Sequence, residues 1–162
     1  MDKPRKHLQS VLVIGIGNTL LSDDGFGVHV VDALRASEVS GSSTRLLDGG
    51  TIGLSLLPDI EDADHLIVVD AAELNEQPGT LRVFAGEDMD AHLSRHKSTV
   101  HEVAMYDLLC AARLSGNSPL TRFLVAVQPS STDWGLNPTA QVQAAVEAAC
   151  ALVNDRIAEV AI

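Results

Sequence analysis

The segment Val11–Ile16, VLVIGI, is apolar without interruption, and the residues after it cannot continue it. A short run with no polar alternation fits a strand buried on both faces, as in a parallel sheet covered by helices on each side. Gly15 and Gly17 allow a tight turn off that strand. From Gly25 the period changes. Val28, Val31 and Leu34, with Phe26 and Val30 nearby, recur every three or four residues, which predicts an amphipathic helix to about Ala36.

The same alternation continues along the chain. Residues 44–47 read as a second strand ending at DGG, and 51–60 as a short helix stopped around Pro58. HLIVVDA, His65–Ala71, is a third strand with Asp70 at its carboxyl end, and Pro78-Gly79 centres the next turn. Residues 81–84 form a fourth strand near an edge, and 86–97 read as polar and irregular. Residues 98–116 predict a helix in which Thr99 and Glu102 have capping-box spacing and Gly116 closes the end. A fifth strand occupies 122–127, a long loop follows, and Pro138 opens a last helix to about Ala158. No repeat or long linker divides the chain, so 1–162 read as a single α/β domain, with 1–9 a flexible extension. Strands alternating with helices give a parallel or mixed sheet with helices on both faces. Ligands bind such sheets beyond the carboxyl ends of the strands. That rule puts residues 18–24, 48–51, Asp70 and 128–134 along one rim.

The chain carries 22 acids against 11 Lys plus Arg, a net charge of −11. Nucleic acid is excluded as a partner on this ground, because neutralising phosphates needs a basic face. No run is long enough to span a membrane, and MDKPRKHLQS lacks the apolar core of a secretory signal. The two cysteines, Cys110 and Cys150, read as small buried apolar residues in a reducing cytosol. The expected location is cytoplasmic.

GIGNTL supplies only the first two glycines of the dinucleotide fingerprint, with Leu20 at the third position. Asp23 and Asp24 would repel a pyrophosphate there. One of them is expected to cap the helix that begins near Gly25, while the other faces the rim. Asp70 ends a buried strand, where it either caps a turn or serves a site. His101 lies in the first turn of its helix, whereas His92 and His96 fall in a polar loop with nothing to fix them. Asp24, Asp70 and His101 can meet at the rim, where two carboxylates and an imidazole suit Ni²⁺ or Zn²⁺ and leave coordination positions open. No zincin, nucleophile-elbow or paired-cysteine motif is present.

GIGNTLLSDDGFGVHVVDAL, DGGTIGLSLL, VVDAAELNEQPGTLRVF, STVHEVAMYDLL and VQPSSTDWGLNP occur in that order. Together they resemble the hydrogenase maturation endopeptidases, which remove a C-terminal peptide from the large-subunit precursor of [NiFe] hydrogenases. The resemblance implies a three-layer α/β/α sandwich around a mostly parallel five-stranded sheet with one strand antiparallel. It implies that Asp24, Asp70 and His101, or His96 in place of His101, contact metal, with Asp24, Asp70 and His101 the best catalytic candidates. It places Asn18, Asp23, Asp48, Gly49 and Thr51 along the substrate cleft. The cofactor it implies is nickel supplied by the precursor, with no nucleotide. A Rossmann-like nucleotide-binding enzyme and a non-catalytic metal-binding maturation chaperone are the alternatives.

Overall fold

The computed structural model describes residues 9–37, 41, 43–51, 53–95 and 100–161. Residues 1–8 of the expected extension, Thr99 of the expected capping box, and His96 lie outside the described residues. The strands are β1 (Val11–Ile16), β2 (Thr44–Gly50), β3 (His65–Ala71), β4 (Leu81–Ala85) and β5 (Thr121–Val127). They form one sheet in the order β2-β1-β3-β5-β4, parallel except for β4, which runs antiparallel to β5 at the edge. The helices are α1 (Phe26–Ala36), α2 (Leu57–Glu61), α3 (Glu87–Arg95), α4 (Val100–Leu114) and α5 (Ala140–Val160).

The uninterrupted apolar strands follow from this layering. Val11 and Val13 of β1 join Ile67 and Val69 of β3 in a core with Phe26 and Val30 of α1 and Val142 of α5. Leu12, Ile14 and Ile16 point the other way, onto Leu66 and Val68, Ile60 of α2, Met89 of α3 and Met105 of α4. Successive side chains on a strand face opposite sides, so the middle of a strand between two helical layers has no position for a polar residue, and His65 and Asp70 fall near the ends of β3. Burying each such side chain contributes about 1.5–3 kcal/mol. β4, at the edge, is only partly buried.

β1 pairs with β2 on one side and β3 on the other. The first crossover runs through α1 on one face and the second through α2 on the opposite face. The carboxyl ends of β1 and β3 are therefore the switch point of the sheet, where chain direction diverges and leaves a crevice. α1 starts against that point. A Cβ at Gly27 would lie 2.1 Å from the Val69 carbonyl oxygen and 2.5 Å from the Ile16 nitrogen, so only glycine lets helix and strands approach this closely.

The structure departs from the sequence expectations in several places. Residues 87–95 are helical, not irregular. Only Met89, His92 and Leu93 of α3 are buried, a helical spacing too brief to show as a period. Asp90 pins α3 instead: Arg122 Nη2 donates to it at 2.6 Å and Arg113 Nη2 at 3.0 Å. Pro58 sits in the first turn of α2, where a missing N–H costs nothing, and does not stop the helix. β2 extends through the glycines to Gly50, and α5 begins at Ala140 with Thr139 before it. Gly116 closes α4 as expected: with φ +79 it donates to Arg113 O, and Asn117 N–H to Ala112 O. Cys110 and Cys150 are free thiols and half-buried, not fully buried.

Candidate active site

The rim at the switch point is assembled from the turn after β1. Gly17 has φ +139, and a Cβ there would stand 1.8 Å from the Asp24 carbonyl oxygen. The turn can therefore fold back onto the short 3-10 segment Ser22–Gly25 that carries Asp24. The Asn18 N–H donates to Asp24 Oδ2 at 3.0 Å, and Asn18 Oδ1 accepts from the Leu20 N–H at 2.9 Å. Asp24 Oδ1 is left facing His101 of α4, with Nδ1 at 3.8 Å. That separation is too long for a hydrogen bond, so the two groups form an open pair. Both are largely buried, at 14% and 13% side-chain exposure for Asp24 and His101 respectively.

Asp70 ends β3 beside them and is 4% exposed. Burial, and after it the charge of Asp24, raises its carboxyl well above the ordinary carboxylate range. The Ala71 N–H, donating to Asp70 Oδ1 at 2.8 Å, pulls the other way, and Glu102 adds further repulsion. Asp24, Asp70 and His101 thus share one rim. Their convergence is looser than expected: among the described residues no three His, Cys, Asp or Glu side chains are placed to hold one ion. Asp70 Oδ1 is engaged by the neighbouring Ala71 N–H.

The expectation that one paired acid caps α1 is not met. The residue before α1 is Gly25, and no side chain bonds the helix start. Asp23 has another task. It is 0% exposed and accepts from the Ser130 N–H at 2.8 Å, the Ser131 N–H at 3.0 Å, the Thr139 N–H at 2.6 Å and the Thr139 hydroxyl. Burial opposes its charge, but the N–H groups of Ser131, Thr139 and Ser130 and the Thr139 hydroxyl outweigh that and hold its carboxyl below the ordinary value. Asp23 therefore ties the rim together and does not line a cleft. Asn18 orients Asp24. Asp48 accepts the Gly50 N–H at 2.8 Å at the end of β2, with Gly49 half-buried and Thr51 exposed beside it.

Sequence reasoning missed two residues. His92, expected in a loop, lies on α3 at 6% exposure, stacked on Phe84 at 4.3 Å between ring centroids. Its Nε2 is 3.6 Å from Oε1 of Glu102, which is 2% exposed and immediately follows His101. The sequence spacing makes Glu102 a cap, and nothing in its residue type or spacing distinguishes a buried ion partner from one.

Comparison with known proteins decides the family. The hydrogenase maturation protease (HycI) model matches residues 28–156. The hydrogenase 2 maturation protease of Escherichia coli strain K12 is 37% identical over 140 residues, covering 86% of this chain and 85% of that one. The chain belongs to the hydrogenase maturation protease family. The hydrogenase expression/formation protein HupD of Rhodobacter capsulatus is 40% identical over 121 residues, 75% of this chain but 58% of that longer one. The solved E. coli hydrogenase maturating endopeptidase HybD superposes with a TM-score of 0.89 at 35% identity, covering 93% of each chain. As a maturation protease the chain is a peptidase, with the α/β/α sandwich that the resemblance implied. Membership in an enzyme family sets aside the non-catalytic chaperone.

Proposed function

We propose that this chain is the endopeptidase that removes the C-terminal extension of a [NiFe] hydrogenase large-subunit precursor, and that it recognises the precursor by the nickel already placed there. The observation that carries the reading is the open Asp24–His101 pair, 3.8 Å apart, at the switch point where buried Asp70 also ends β3. A carboxylate oxygen and an imidazole nitrogen that do not satisfy each other are donors available to a cation brought from outside, and this O/N set suits nickel. The nickel is part of the substrate, and docking of the precursor brings Asp70, which does not close on one ion with Asp24 and His101 in the free chain, together with them to fill its vacancies. Asn18 holds Asp24 in position through its N–H. Asp48, Gly49 and Thr51 border the path of the extension. Hydrolysis adds water across the scissile amide, leaving a carboxylate on the mature subunit and an amine on the released peptide.

The partner is the precursor polypeptide. Two free thiols fit a reducing cytoplasm. Among the described residues no helix is long and apolar enough to cross a membrane. The test is cleavage of nickel-loaded precursor, followed by intact mass, with Asp24→Ala, Asp70→Asn and His101→Ala. Each variant is expected to keep its circular dichroism and lose cleavage. Normal cleavage by Asp24→Ala or His101→Ala would remove the pair from the site.

A further inference from the structure

The rim beside Asp24 is not polar throughout. Leu20, Trp134 and Leu136 are 46%, 82% and 70% exposed. Backbone pairing brings them together. Leu21 and Gly135 form a parallel bridge, Gly135 N–H donates to Leu20 O at 2.9 Å, and Ser22 N–H donates to Gly135 O at 2.9 Å. The loop carrying Trp134 is held on both sides, by Asp23 and by the Ser22 hydroxyl donating to Asp133 O at 2.8 Å. These bonds fix the loop backbone, so the exposed Trp134 is presented on a segment that has little backbone entropy left to lose on binding.

We infer that Leu20, Trp134 and Leu136 form the surface that grips the precursor's polypeptide next to its nickel, through apolar side chains of that segment. The inference rests on the reading of the site as an endopeptidase for nickel-bearing precursor. Continuity with the acids identifies the occupant: Asp24 bonds the Asn18 N–H, and Asn18 bonds the Leu20 N–H. A cation that reaches Asp24 therefore brings its own protein over Leu20 and Trp134. Charge supports this division of labour. A chain of net charge −11 repels an acidic partner, and the apolar patch gives the precursor a grip beside Asp24 that does not depend on charge. The exposed Leu114, at the end of α4, and Leu120, just before β5, lie at the opposite end of the sheet and provide a control.

Trp134→Ala, Leu136→Ala, Leu20→Ala and Leu120→Ala should be assayed with nickel-loaded precursor for KM and kcat separately, after a melting check. Trp134→Ala is expected to raise KM about tenfold or more with little change in kcat, Leu136→Ala and Leu20→Ala less, and Leu120→Ala not at all. Trp134→Phe should recover most of the loss. Because the chain has one tryptophan, ¹⁹F NMR of 5-fluorotryptophan-labelled protein reads Trp134 alone, and its resonance should shift on adding the precursor. A KM within twofold of wild type for Trp134→Ala, or an equal loss in Leu120→Ala, overturns the inference while leaving the endopeptidase standing. Failure of the wild type to cleave overturns both. If sedimentation shows that Trp134→Ala turns a dimer into a monomer, the patch is an interface between copies and the inference falls.

Discussion

Asp23 and Asp24 are neighbours with the same side chain and opposite employment. Asp23 faces inward and satisfies buried N–H groups of a loop more than 100 positions away in sequence. Asp24 faces the rim with one oxygen free of the backbone. Asp23→Ala should lower stability by about 3 kcal/mol or more, because several buried donors lose their acceptor at about 1–3 kcal/mol each. Urea unfolding with an unchanged m-value reads this loss. Asp24→Ala should unfold at nearly the wild-type midpoint and yet fail to cleave. The reverse pattern would exchange the two roles. Asp70 gives a pH signature. Its folded pKa is raised, so its stabilising contribution is complete below the unfolded value of about 3.9 and is lost as pH rises through the folded value. Asp70→Asn keeps an oxygen for the Ala71 N–H and has no charge to bury. It should melt higher than wild type at pH 8, and the difference should vanish near pH 4. A constant difference across that range would mean that Asp70 is not held neutral by its surroundings.

Among the elements, α3 depends most on a single residue. Hydrogen bonds from Arg122, working against partial burial, and further support from Arg113 hold the Asp90 carboxyl below its ordinary range. A depressed folded pKa gives stability that is present above the unfolded value and lost as pH falls through the folded one. Asp90→Asn should cost about 2 kcal/mol at pH 7, and less as the pH approaches 3, measured by thermal melts. A cost that does not change with pH would mean the carboxylate's charge contributes nothing. This helix also shows where sequence reasoning stops. β1 and β3 were legible to the residue because the middle of a strand between two helical layers tolerates no polar position, leaving His65 and Asp70 near the ends of β3. The places of Asp24 and Asp70 were legible because strand ends at a switch point are where sites form. α3 was not, since a polar helix held by Asp90–Arg122 leaves no period to read. The role of Asp23 was invisible for a related reason: its partners lie far along the chain, and a cap was the nearer explanation.

At the scale of the whole molecule, the fold places an open pair of donors where β1 and β3 diverge and surrounds it with loops tied to one another by Asp23, Ser22 and Asn18. Two helical layers hold the sheet rigid behind it. On the proposed reading such a site reads something carried on another protein, and its specificity would depend on whether that protein brings a cation to Asp24 and His101. The most direct test is to incubate one preparation of the enzyme, its metal content measured by elemental analysis, in parallel with nickel-loaded and nickel-free precursor, and to follow release of the C-terminal peptide by mass spectrometry. The account predicts cleavage of the nickel-loaded form alone, whatever the enzyme's own metal content. Equal cleavage of the nickel-free precursor would contradict it.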